Sequence, residues 1–314
     1  MKPIAAKIPT RRSFSDRLVE YGAQEKDFVV LEADVGHSTY TYLFGEKYPD
    51  RYFNLGIAEM GMFSTAAGIA SGGRTVVASS YGVFITMRAL EAIRSFICYP
   101  DLNVKILSSH GGLTAAIDGA THQATEDIAN MSTLPNMKVL VPADTAAAAA
   151  ALEIAMTTPG PVFTRLMRDP LFDIYDKGEK FVIGGSKTVR NGKDVTIACY
   201  GDMVFQALEA AEILLQEGID AEIIDMYSIK PYDQKAILES TVRTGALVVV
   251  ENHQKKNGLG YELAHLLLSN RKYVPFTSLG IADSFGESGD YYKLLNKFGL
   301  SSGHIAEAVR QLKV

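Results

Sequence analysis

The sequence predicts an α/β protein of two doubly wound domains, and three observations predict it. Short apolar, β-rich runs alternate with longer helical patterns along nearly the whole chain. Such alternation yields mostly parallel sheets with helices on both faces. It pauses in one turn-rich, charged stretch and then restarts. The 314 residues suit two domains of ordinary size, and 47% hydrophobic content supplies a large core.

In chain order, the first unit has strand-like runs at 28–33, 75–80, 104–109, 138–141 and 162–166. Helical patterns cover 13–24, 58–71, 84–99, 123–132 and 145–156. The six consecutive alanines from Ala146 to Ala151 are helix propensity and not low complexity. A second unit begins at Asp194, with strands expected at 195–200, 221–226 and 246–251. Its helices are expected near 204–217, 234–241, 261–268 and 304–312. The expected division is therefore 1–170, a linker over 171–192, and a smaller unit over 193–314. No internal repeat has a fixed period.

Composition narrows the function. The net charge is −5 and no Lys/Arg block is present, which argues against nucleic acid, since phosphate binding needs a concentrated basic face. No apolar run reaches the roughly 18 residues that span a bilayer, and the N-terminal residues lack a signal peptide's apolar core. Cys98 and Cys199 each lie in an apolar segment with no His beside them. Two buried thiols fit a reducing cytoplasm, where the chain is expected to reside.

Four features carry chemistry. Glu59 follows an apolar run and opens a helix of small residues. A carboxylate so placed is dry on one side and fixed in direction. It suits proton exchange with a nitrogen heterocycle, although a Glu at a helix start also simply complements the macrodipole. His110, Asp118 and His122 lie on a Gly-containing loop directly after the run at 104–109, and strand C-termini are where such folds place ligands. Their 8- and 4-residue spacings match no zinc pattern; proton transfer to a hydroxylated substrate is the better reading. Arg11, Arg165 and Arg168 offer guanidinium forks for a phosphate or carboxylate, and Ser38 adds a hydroxyl. Tyr81, Phe84 and Met87, three residues apart, would hold a flat heteroaromatic ring or merely fill core. Asn257-Gly-Leu-Gly260 would receive an anion at a helix start, and there is no GxGxxG after a strand. His253, His265 and His304 read as scattered polar or helix-surface residues.

Taken in this order, the four features resemble the C-terminal half of transketolase, and more closely the separate C-terminal subunit of a split, two-gene transketolase. Gly56-Ile-Ala-Glu59 matches the family segment whose glutamate bonds the aminopyrimidine of thiamine diphosphate. Asp118-Gly119 followed by Thr121-His122-Gln123 is similar to the family's Asp-Gly-Pro-Thr-His-Gln block, and His110 stands where the family has the His of its Thr-His-Asp-Ser segment. Arg11 lies 23 residues before Asp34, as the family's phosphate-binding Arg precedes its Asp. Phe285-Gly-Glu-Ser-Gly, then Lys297-Phe-Gly-Leu-Ser, follows the family's C-terminal signature. Tyr81 and Met87 replace the usual Phe and Tyr, His37 a usual Pro, and Gly111-Gly112 an Asp-Ser pair; the last two flank the acceptor channel, so they bear on sugar specificity.

The resemblance implies a pyrimidine-binding domain followed by a transketolase C-terminal domain. It implies that Asp34, Val35, Ile57, Glu59, Tyr81, Phe84 and Met87 line the cofactor. Arg11, Ser38, His110, Asp118, His122 and Arg168 would hold the substrate, with Glu59, His110 and His122 catalytic. The reaction it implies moves a two-carbon ketol unit from a ketose phosphate to an aldose phosphate, with the cofactor as electron sink. The family holds Mg²⁺ and the diphosphate on a Gly-Asp-Gly…Asn motif of its N-terminal domain, and this chain has no Gly-Asp-Gly. An N-terminal partner subunit carrying that half, in an α2β2 heterotetramer, is therefore expected, with no metal ligand in this chain. The competing readings are the β subunit of a 2-oxo acid dehydrogenase, a 1-deoxyxylulose-5-phosphate synthase-like fragment, and a non-catalytic regulatory subunit.

Overall fold

The structure, a computed structural model, describes residues 3–312. Its larger sheet has seven strands in the spatial order Ser228–Lys230, Lys138–Leu140, Val162–Arg165, Val104–Ser109, Thr75–Tyr81, Phe28–Glu32, Tyr52–Asn54. Every pairing is parallel except that of Ser228–Lys230 with Lys138–Leu140. The five-stranded second sheet runs Phe276–Ile281, Leu247–Gln254, Val195–Cys199, Ala221–Asp225, Lys187–Arg190, with only the last strand antiparallel. The architecture is α/β, with two mainly parallel sheets, as the alternation predicts.

Burial follows the strand sequences. Phe28–Glu32, Val104–Ser109 and Val195–Cys199 are buried at every residue, as parallel strands covered on both faces must be. Lys105 is only 1% exposed. Its ammonium donates to the carbonyls of Thr158 (2.6 Å) and Gly160 (2.7 Å), so its charge closes a turn and is not free for chemistry.

The first sheet turns back on itself beside Phe28–Glu32: the chain passes outward to Tyr52–Asn54 and then returns to Thr75–Tyr81 on the other side. A crevice opens outside the strand C-termini at such a reversal. Asp34, Glu59, Tyr81, His110 and Arg168 all follow, or end, strands of this sheet.

The two sheets share packing. One core cluster joins Val139, Val141 and Phe163 to Ala198, Ile224, Met226 and Leu247. Strand Ser228–Lys230 leaves the second sheet's side of the chain and completes the edge of the first.

Several expectations need correction. The continuous helix over 84–99 is instead Gly82–Arg88, a short turn Leu90–Ala92, and a π-helical stretch Ile93–Cys98, where the Tyr99 amide bonds the Arg94 carbonyl five residues back at 3.0 Å. Apolar spacing does not distinguish these from one α-helix. The helix expected from 123 starts at Asp127, because the Ala124 and Thr125 carbonyls serve Gly112 and Gln254. The stretch 171–192 carries strands Phe172–Asp173 and Lys187–Arg190, paired to Ile4–Ala5 and to Ala221–Asp225. His253 is fully buried, its Nε2 accepting from the Ala129 amide at 3.2 Å. Nor is the helix start at Leu259 open to an anion: the Glu251 carboxylate accepts from the Leu259 (2.8 Å) and Gly260 (3.0 Å) amides. Among the described residues no helix is long and apolar enough to cross a membrane.

Candidate active site

Glu59 opens the helix Glu59–Ser71 and is 3% exposed. Gly56, at φ 76°, turns the chain into it. The Ser80 hydroxyl lies 3.5 Å from one carboxylate oxygen, and Arg88 Nη1 lies 3.3 Å from both. The Arg88 guanidinium also covers the Phe84 ring at 4.0 Å, a cation–π contact four residues along one helix. Sequence reasoning missed Arg88; its i+4 spacing from Phe84 was the available signal.

A second bracket fixes the neighbouring loop. Asn54 Nδ2 donates to Asp34 (2.9 Å) while its oxygen accepts from the Gly56 amide (2.8 Å). Asp34 adopts φ 60°, a left-handed conformation that non-glycine residues adopt at a cost and that clusters at functional sites. Glu32, also missed, is buried; its carboxylate accepts from the Val35 amide at 2.7 Å, and burial pushes its pKa up. Ile57 is 77% exposed and Met87 49%, so both present apolar surface outward beside Glu59.

His110 directly follows the strand Val104–Ser109, at φ 64°. It is buried, with Ser109 Oγ 2.8 Å from Nδ1 and Arg11 Nη1 3.5 Å from Nε2. Burial, then the Arg11 and Arg168 cations, holds its pKa down to about 2. The imidazole is therefore neutral throughout the working range and exchanges hydrogen bonds without carrying charge. Asp118 lies 3.6 Å from Nε2 and accepts from Arg168 Nε at 3.0 Å. Tyr81 stacks at 5.5 Å on Phe84 and packs 4.0 Å from His110. His122 meets both rings edge-on, at 5.6 Å and 5.3 Å.

Arg11 donates to the Ser38 carbonyl, so the backbone of Ser38, and not its hydroxyl, makes this contact. The Arg11 Nε is buried without a partner, a donor the protein itself leaves unsatisfied. Arg168 gives Nη1 to Asp169 as well as Nε to Asp118. Arg165 stands apart: it is buried behind the loop beside Asp127, which removes it as an anion fork.

One pH consequence follows. Because the imidazole stays neutral, His110→Asn should leave the midpoint of the acid limb of the pH–rate profile unchanged. A limb between pH 5.5 and 7 that vanishes in the variant would assign a titrating proton to His110.

A buried carboxylate, an aromatic pair and outward apolar residues fit the pyrimidine half of thiamine diphosphate. Among the described residues, no group of three or more His, Cys, Asp or Glu side chains can hold a metal ion.

Residues 6–172 match the family model described as transketolase, pyrimidine binding domain, and residues 184–305 match transketolase, C-terminal domain. The chain belongs to the transketolase family, whose enzymes depend on thiamine diphosphate. It is 40% identical to a putative transketolase C-terminal section of Methanocaldococcus jannaschii, over 96% of this chain and 95% of that protein. It is 36% identical to a 6-deoxy-6-sulfo-D-fructose transketolase subunit of a Clostridium species, over 96% and 94%. A solved split gene transketolase, described as an inactive β4 tetramer, superposes with a TM-score of 0.90 at 42% identity, covering 97% and 98% of the two chains. The chain thus corresponds to a transketolase-family C-terminal subunit, and the dehydrogenase and synthase readings are not favoured.

Proposed function

We propose that this chain supplies the pyrimidine-binding and sugar-binding half of a split transketolase. An N-terminal partner subunit would supply the diphosphate and Mg²⁺ half, two of each chain forming α2β2, in the cytoplasm. The observation that carries the proposal is the buried Glu59 carboxylate, met by Arg88, whose guanidinium covers Phe84 of the Tyr81–Phe84 pair, with His110 against Tyr81 and His122 against both rings. That a relative is a transketolase C-terminal section supports the need for a partner.

Bound thiamine diphosphate would supply the electron sink for breaking and making a carbon–carbon bond. Glu59 would hold a proton at a pyrimidine ring nitrogen. Asp34, Val35, Ile57, Tyr81, Phe84 and Met87 would shape the surrounding wall. Neutral His110 would give and accept hydrogen bonds at the sugar carbonyl and hydroxyls, with His122 opposite. Asp118 would read a hydroxyl next to the carbonyl, and Arg11, Ser38 and Arg168 would face the distal end of the sugar.

The decisive experiment mixes the purified chain with its candidate N-terminal subunit and compares ketol transfer from xylulose 5-phosphate with decarboxylation of pyruvate. Ketol transfer only in the mixture is expected. Turnover by this chain alone, or of pyruvate alone, would overturn the proposal. A separate test concerns the anion. Arg168→Ala should raise KM for a phosphorylated sugar about tenfold, the scale of one charge-assisted contact, and leave KM for the unphosphorylated sugar nearly unchanged. Equal effects on both would remove the phosphate role.

A further inference from the structure

We infer that the C-terminal domain positions the catalytic histidines, through Asn252 and the loop that starts at Phe285. This rests on the reading that His110 and His122 act on the sugar. Asn252 lies in the strand Leu247–Gln254 of the second sheet and is fully buried, far along the chain from either histidine. Its side-chain oxygen nevertheless accepts from the Leu113 amide at 2.9 Å, three residues after His110. Its carbonyl accepts from Arg165 Nη2 at 2.7 Å, and the same nitrogen reaches the Ala124 carbonyl at 3.2 Å, two residues after His122. Gly112 closes the bracket by donating to that carbonyl at 2.8 Å.

The loop bearing both histidines is therefore tied at Leu113 directly to the Asn252 side chain, and at Ala124 to the Asn252 backbone carbonyl through Arg165. The packing leaves no slack. A Cβ on Gly111 would lie 2.3 Å from Arg165 Nε, and one on Gly112 would lie 2.6 Å from Arg165 and from Asn252. Close approach by these two buried groups accounts for glycine at both positions.

The second half of the loop rests on the C-terminal signature. Gln123 donates to the Glu287 carbonyl at 2.9 Å. A Cβ on Gly286 would strike the Gln123 oxygen at 1.8 Å, and one on Gly119 would strike the Ser288 hydroxyl at 2.4 Å. Asn252 is held in turn: Nδ2 donates to Asp202 Oδ2 at 2.6 Å, and the Tyr291 hydroxyl donates to the same oxygen. The Asn252 amide is thus oriented from both sides, with its acceptor toward the loop. A 1 Å displacement of catalytic groups can cost about 100-fold in rate, so a tether at this point has kinetic consequence. Asn252 is a positioning residue, since it is buried and would act on the reaction only through the loop it touches.

The test uses the chain assembled with its partner. Asn252→Leu should lower kcat for ketol transfer roughly 10- to 100-fold. Cofactor affinity and subunit assembly should stay within about twofold of wild type, because the Glu59 wall is untouched. Amide hydrogen exchange over residues 111–124 should quicken while the helix Glu59–Ser71 keeps its protection. Asn252→Asp alone should also be slow, since two carboxylates then face each other. The exchanged pair Asp202→Asn with Asn252→Asp restores an acceptor for Leu113 and a donor between the two side chains, and should recover most of the rate. A wild-type rate in Asn252→Leu, unchanged exchange in the loop, or no recovery in the exchanged pair would each overturn the inference. Should Asn252→Leu fail to fold, the single and paired Asp variants still decide it. If the wild-type assembly transfers no ketol unit, the functional reading fails, and loop exchange still tests the tether.

Discussion

Glu59→Gln in the assembled enzyme should reduce kcat by about 10²–10⁴-fold, the usual cost of one acid–base group. The substitution is close to isosteric. The side chain is buried in a small-residue helix, with Ser80 and Arg88 as its polar neighbours, and an amide still accepts hydrogen bonds from both. What it cannot do is hold and release a proton. Assembly and secondary structure should therefore match wild type by sedimentation and circular dichroism, and the loss should lie in kcat. A variant keeping more than a few per cent of the rate would show that the carboxyl is not the proton-holding group. Arg88→Met is the companion control, because it removes the cation beside Glu59 without removing the carboxyl.

Arg165→Leu should destabilise the chain by about 3–5 kcal/mol, the cost of removing one partner from a buried ion pair. Arg165 and Asp127 are both buried, with Nε and a carboxylate oxygen 2.9 Å apart. That pair lacks the alignment of a hydrogen bond, and the guanidinium's firmest partners are the Ala124 and Asn252 carbonyls. Burial pushes the Asp127 carboxyl up to about 6 even with Arg165 beside it. Without the arginine, the carboxyl is left with a desolvated charge or must take up a proton. Denaturant titration measures the loss. Adding Asp127→Leu should recover part of it, since two apolar residues leave no orphaned charge. A change under 1 kcal/mol in the single variant would mean that water reaches the pair.

Much of the architecture was legible in the sequence, because parallel strands covered on both faces read as unbroken apolar runs. The runs Phe28–Leu31 and Leu247–Val250 stand out for that reason. Short edge strands do not: Tyr52–Asn54 and Ser228–Lys230 have only three residues each, too few to display a period. At the site, residues with local motifs were visible and their tertiary partners were not. His110, Asp118 and His122 announce themselves by spacing, whereas Arg88 on Glu59 and Asn252 on Leu113 are pairings that only folding creates. His253 was misjudged because a lone histidine carries no pattern that separates a sealed interior from a wet surface. The left-handed conformations of Asp34 and His110 were equally hidden. Neither is a glycine, so composition gives no hint that the backbone bends there.

The small strand Ser228–Lys230 sets a limit on how this polypeptide can be divided. Cut the chain in its middle and the front piece ends with Lys138–Leu140 as a raw margin, its outward amides and carbonyls stripped of their antiparallel neighbour. Bare sheet margins recruit other chains. The rear piece, meanwhile, keeps a strand with nothing to join. The two sheets behave as clasped hands, and neither is a module to be borrowed alone.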